Sequence, residues 1–151
     1  MFGLQDGLVS TTGVVIGITV GVHEKAVIIL ASLVAVTVEA SSMAAGQYSS
    51  EKAVHQMDKT GKHTDNLILG ALLMFISYFF AGFIPITPIL LFDLSISPII
   101  SILLAFSALF AVGFIKGKIV DHHPLRSATE MFVIGAIATV LGIIVGHFLK
   151  V

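Results

Sequence analysis

The chain contains no cysteine and no tryptophan, and charged side chains make up only 11% of its 151 residues. Without cysteine it can form neither a disulfide nor a thiolate metal site, so any metal it holds must be met by oxygen, nitrogen or thioether sulfur. Scarce charge excludes an ordinary soluble domain, in which about a quarter of the residues are charged. A net charge of −1 and the lack of a basic stripe interleaved with aromatics argue against nucleic acid as a partner. There is no phosphate-binding glycine loop and no pairing of nucleophile with base, so neither enzymatic activity nor a bound cofactor is expected.

What the sequence does hold is apolar surface: 56% of residues are hydrophobic and the mean hydropathy is +1.04. A helix needs about 20 apolar residues to cross a bilayer. Five runs approach or exceed that length: 2–22, interrupted only by Asp6; 26–48, interrupted only by Glu39; 67–84; 96–115; and 131–149. None shows the apolar–polar alternation of a lipid-facing strand. The expected fold is an all-α integral membrane protein, a single transmembrane domain over residues 1–151 set in a lipid bilayer.

The first run has no basic residues ahead of it and carries Asp6, so it reads as a span of the mature chain and not as a cleavable signal. Lys52, Lys59, Lys62, Lys116, Lys118 and Arg126 follow the second and fourth runs, whereas only Lys25 and Lys150 fall on the opposite side. Basic residues in short loops favour the cytoplasm. The expected topology therefore has the amino terminus inside and the carboxyl terminus outside. The short cytosolic loop 49–66 is expected to extend the second helix until Gly61 ends it. Between the third and fourth runs, Pro85, Pro88 and Pro98 are expected to prevent an uninterrupted helix and to give an extended or partly re-entrant outer connection, with Asp93 as a loop-side cap. Small residues at spacing four, Gly13–Gly17–Gly21, Ala40–Ala44 and Gly142–Gly146, point to a tight bundle.

Two carboxylates inside apolar runs require an explanation, because an ionisable side chain at mid-membrane costs about 2.5 to 3.5 kcal/mol on insertion scales. With the first helix rising from the inside and the second returning to it, Asp6 lies at a depth similar to that of Met43 to Gln47. Glu39 lies one turn deeper on the Met43 face, level with Thr11 and Thr12. The candidate constellation is Asp6, Thr11, Glu39, Met43 and Gln47. Oxygen donors alone suit Mg²⁺ or Ca²⁺, and a thioether moves the preference toward Fe²⁺ or Mn²⁺. The plainer readings are packing for Met43 and helix capping for Asp6. Glu51 and His55, at spacing i, i+4, could hold a metal on a helix extension, with Asp58, His63 and Asp65 gathering cations at the inner mouth. A solvated loop is the simpler account there, as it is for Asp121, His122 and His123.

Four stretches are similar to a known family. "QDGLVSTTGVVIG" at 5–17 and "SSMAAGQYSSEKA" at 41–53, with "FIPITP" at 83–88 and "GFIKGK" at 113–118, resemble the vacuolar iron transporter family. The resemblance covers nearly the whole chain. It implies a five-span antiporter that exports Fe²⁺ or Mn²⁺, with Co²⁺ and Zn²⁺ as further candidates, from the cytosol in exchange for protons. It also implies a C2 homodimer with the ion path between subunits, in the plasma membrane of a prokaryote or a vacuole-type membrane. The family's path acid corresponds to Asp6 and its path methionine to Met43. Three departures stand out. The acidic metal-binding domain that plant-type members carry between the second and third spans is reduced to the loop 49–66. Gln47 stands where many members have Glu, and Glu39 where members have a small residue. A non-transporting assembly or regulatory subunit and a passive divalent-cation channel are the competing readings.

Overall fold

The computed structural model describes residues 1–57, 66–120 and 123–150. It contains five helices in chain order: α1 (Phe2–Gly21), α2 (Lys25–Met57), α3 (Leu67–Leu91), α4 (Ser97–Ile119) and α5 (Pro124–Phe148). All five are long and apolar enough to cross a membrane. The chain is a multi-pass membrane protein, as its hydrophobic runs predict.

The least polar helices are not the innermost ones. α1 is the axis of the bundle, packing against α2, α3, α4 and α5, while the other four form an arc around it in which α2 touches α3, α3 touches α4 and α4 touches α5. Among the described residues α2 and α5 do not meet, so the arc is open on one side of α1. Glycine makes the axial position possible. A Cβ on Gly13 would stand 2.9 Å from the Ala138 carbonyl oxygen, one on Gly17 2.7 Å from that of Gly142, and one on Gly21 3.0 Å from that of Gly146. The glycine stripes of α1 and α5 thus lie against each other within one chain, at backbone contact. The outer helices turn large apolar side chains outward, among them Leu30, Val34 and Val38 of α2 and Leu69, Leu73 and Phe80 of α3. In a bilayer these meet acyl chains.

α2 has 33 residues, so it is about 50 Å long at 1.5 Å per residue, against a hydrocarbon core of about 30 Å. Its last turns extend beyond the apolar run and carry Glu51, Lys52 and His55, in keeping with the expected extension. The expected end at Gly61 lies outside the described residues. α3 begins on a side-chain cap: Asn66 Oδ1 accepts from the Ile68 and Leu69 amides at 3.1 and 3.2 Å.

The prolines behave differently from expectation. α3 continues through Pro85 and Pro88 to Leu91, seven residues beyond the predicted span end at 84. Each proline removes one backbone donor, but both side chains are buried between helices, and Ser101 Oγ of α4 donates to the Pro85 carbonyl. Pro98 sits in the first turn of α4, where a missing N–H costs nothing. The connection between α3 and α4 is therefore short and not re-entrant. Asp93 caps it through its main chain, its carbonyl accepting from Ile96 and Ser97 at 3.1 and 2.9 Å. Lys25 Nζ donates to the Phe92 carbonyl at 2.9 Å, tying the start of α2 to the end of α3. α5 also starts earlier than its apolar run, at Pro124, with an exposed Arg126–Glu130 pair at 3.2 Å in its first turns.

Candidate functional site

Asp6 belongs to the second turn of α1, whose first turn contains no acidic residue. A capping role, the plainer reading of this aspartate, is therefore not what the helix start uses it for. One turn further along α1, Ser10 faces α2 and donates from Oγ to Glu39 Oε2 at 3.1 Å. The same carboxylate oxygen accepts a short hydrogen bond from the Tyr78 hydroxyl of α3, and the Ser10 and Tyr78 hydroxyls are also in contact. Three helices thus meet at one carboxylate oxygen. Asp6 precedes Ser10 by one turn on the same face of α1.

Glu39 is 14 residues past the start of α2, about 21 Å along the helix, well inside the apolar run. Its location explains the hydroxyls: a carboxylate removed from water needs donors, and two neutral ones supply them without a second charge. Tyr78 is 1% exposed, its ring held in a cluster with Val36, Ala40 and Ile86, against which Met43 also packs. Met43 is half-buried one turn from Glu39 on the same face of α2. The next turns of that face carry Gln47, Glu51 and His55, each half-buried. Gln47 Nε2 donates to Glu51 Oε1 at 2.8 Å, so these two candidates are joined to each other. All the candidates on α2 form one slowly winding stripe from mid-helix to its C-terminal end.

Thr11 makes no hydrogen bond to this stripe among the described residues. Its side chain is 2% exposed, and its Oγ1 lies 2.7 Å from where a Cβ on Gly82 of α3 would stand, a position closer still to a Val36 methyl. The hydroxyl that reaches Glu39 is that of Ser10, one residue earlier. Ser10 and Tyr78 were both missed by sequence reasoning. The available signals were the spacing of four from Asp6 to Ser10, and the presence of one of only two tyrosines inside an apolar run.

Among the described residues no group of three or more His, Asp or Glu comes together in a metal-binding arrangement. What one chain brings into contact is the Glu39 carboxylate and the hydroxyls of Ser10 and Tyr78. Asp58, His63, Asp65, Asp121 and His122 lie outside the described residues. Beside the site, on the open side of α1, is an apolar cleft of about 610 Å³ lined by Ser10, Gly13, Val14, Gly17, Ile18 and Val22 of α1 and by Ala138, Leu141, Gly142 and Val145 of α5. Ser10 therefore belongs both to the polar cluster and to the wall of the cleft.

The profile of the VIT family matches residues 1–65 and 53–147, nearly the whole chain. Vacuolar iron transporter 1 of Arabidopsis thaliana is 40% identical over 65 residues, which cover 42% of this chain and 26% of that protein. The matched segment thus spans about a quarter of that relative's length.

Proposed function

The chain belongs to the VIT family, and from that premise we propose that it exports Fe²⁺ or Mn²⁺ from the cytosol in exchange for protons, as a C2 homodimer with its amino terminus inside. The observation that carries the proposal is a pair of carboxylates inside apolar helices: Glu39, hydrogen-bonded to Ser10 and Tyr78, and Asp6, one turn before Ser10 on α1, with Met43 one turn from Glu39 on α2. Such a pair is expensive in a bilayer unless a cation or protons share it. A divalent ion neutralises both charges at once, and Met43 adds the soft donor that favours a first-row transition ion over Ca²⁺ or Mg²⁺. Protons compete for the same oxygens, so the site holds either the ion or protons, which is the physical basis of exchange.

One chain supplies too few donors for a first-row ion that prefers about six. The open side of α1, with its apolar cleft, is where a second copy would bring a symmetry-related Asp6 and Met43 to the same axis. Gln47, Glu51 and His55 would then lead from the cytosol to that axis. The test is Fe²⁺ and Mn²⁺ uptake into liposomes carrying the purified protein. Expected is flux that follows an imposed pH gradient and collapses when the gradient is removed. Flux indifferent to pH would instead indicate a passive channel, and absence of flux a non-transporting subunit.

A further inference from the structure

We propose that Tyr78 and Ser10 are positioning residues that clamp Oε2 of Glu39 and so present Oε1 alone to the divalent ion. The inference rests on the reading of Glu39 as an ion ligand. Both hydroxyls, one from α3 and one from α1, converge on the same oxygen of the carboxylate. Oε1 has no hydrogen-bond partner among the described residues. Were the hydroxyls there only to solvate a buried charge, spreading them over both oxygens would serve as well. The tyrosine ring cannot readily follow a moving carboxylate, because it is buried against Val36, Ala40 and Ile86.

A carboxylate pinned at one oxygen binds a cation through the other. To chelate with both it must give up at least one of these hydrogen bonds. That penalty discriminates between ions: Ca²⁺ takes six to eight oxygens and readily uses bidentate carboxylates, whereas smaller first-row ions are satisfied with one oxygen from each group. Partners that orient a ligand typically contribute 10- to 100-fold in metal affinity. Tyr78 thus acts through Glu39, on affinity and on the rejection of Ca²⁺.

The test measures Mn²⁺ binding to the full chain in nanodiscs, with Ca²⁺ as competitor, for the wild type, Tyr78→Phe, Ser10→Ala, Glu39→Gln and the double variant Tyr78→Phe/Glu39→Gln. Expected is a rise in the Mn²⁺ Kd of about tenfold in Tyr78→Phe, together with stronger competition by Ca²⁺. Adding Tyr78→Phe to Glu39→Gln should cost nothing further, because the two act as one unit. Wild-type Mn²⁺ affinity in Tyr78→Phe, or an equal loss in the Glu39→Gln background, would overturn the inference while leaving the metal site standing. A wild-type protein that binds no Mn²⁺ would overturn the metal site itself. If Tyr78→Phe does not yield folded protein, Ser10→Ala decides the question by the same two comparisons.

Discussion

At Glu39 a negative charge about 21 Å along α2 is met by two hydroxyl donors, and in the proposed site Asp6 shares a cation with it. Asp6→Asn keeps the shape of the side chain and removes its charge, leaving one carboxylate where two are needed. Fe²⁺ flux into liposomes should fall at least about tenfold, with the protein still folded and inserted. Met43→Leu conserves volume, so stability should change by less than about 1.5 kcal/mol. Its Fe²⁺ affinity should nevertheless drop severalfold relative to Mg²⁺, because the lost thioether is the donor Mg²⁺ does not use. Equal losses for both ions would assign Met43 to packing. Lowering the pH should weaken Mn²⁺ binding to the wild type, since protons occupy the oxygens the metal needs, and Asp6→Asn should flatten that dependence. Asp6, Glu39 and Met43 were legible in the sequence because a charge interrupting an apolar run announces itself, and spacing four places Met43 beside it. Ser10 and Tyr78 were not. Depth can be counted from helix ends, but Ser10 and Thr11 differ in depth by only about 1.5 Å while pointing about 100° apart. Which of them faces Glu39 depends on how α1 is rotated in the bundle, a property of packing.

Among the elements, α1 and α5 are joined by backbone contact through glycine, and that contact is open to test. Gly17→Ala would place a Cβ 2.7 Å from the Gly142 carbonyl oxygen, where no flexible side chain can give way. The helices must separate, and a loss of about 1–3 kcal/mol is expected. Gly46 of α2 is the control: a Cβ there meets nothing within 4 Å, and Ala is the better helix former by about 1 kcal/mol. Thermal unfolding in detergent should show Gly17→Ala lowered and Gly46→Ala unchanged or raised. Lowered stability in both would mean that helix propensity and not contact governs these sites. The glycine stripes were readable as close-packing faces, though not which helix each would meet. The prolines were misread for a related reason. In isolation Pro85 and Pro88 break a helix, but α3 keeps its course because they fall near its end, buried against neighbours, with Ser101 of α4 donating to the Pro85 carbonyl. A neighbour 16 residues away along the chain is invisible to a local rule.

The arrangement of the whole molecule leaves α1, the helix that carries Asp6 and Ser10, uncovered between α2 and α5. That face is apolar and grooved, so lipid or protein must cover it, and a second copy would place two Asp6 carboxylates near a common axis. The lack of native cysteine makes the alternatives separable. Val14→Cys puts a thiol on the cleft wall of α1, whereas Phe80→Cys puts one on the outward face of α3, where the native side chain is 66% exposed. In membranes treated with a mild oxidant, Val14→Cys should give a disulfide-linked pair and Phe80→Cys should remain single. Because a disulfide forms only when Cα atoms approach within about 7 Å, a linked Val14→Cys pair also sets how close the two copies of α1 come. Linkage through Phe80→Cys, with Val14→Cys unlinked, would turn the dimer around and leave the Asp6 residues facing lipid on opposite sides. In that geometry no shared ion path exists, and Fe²⁺ transport would have to be completed within one chain.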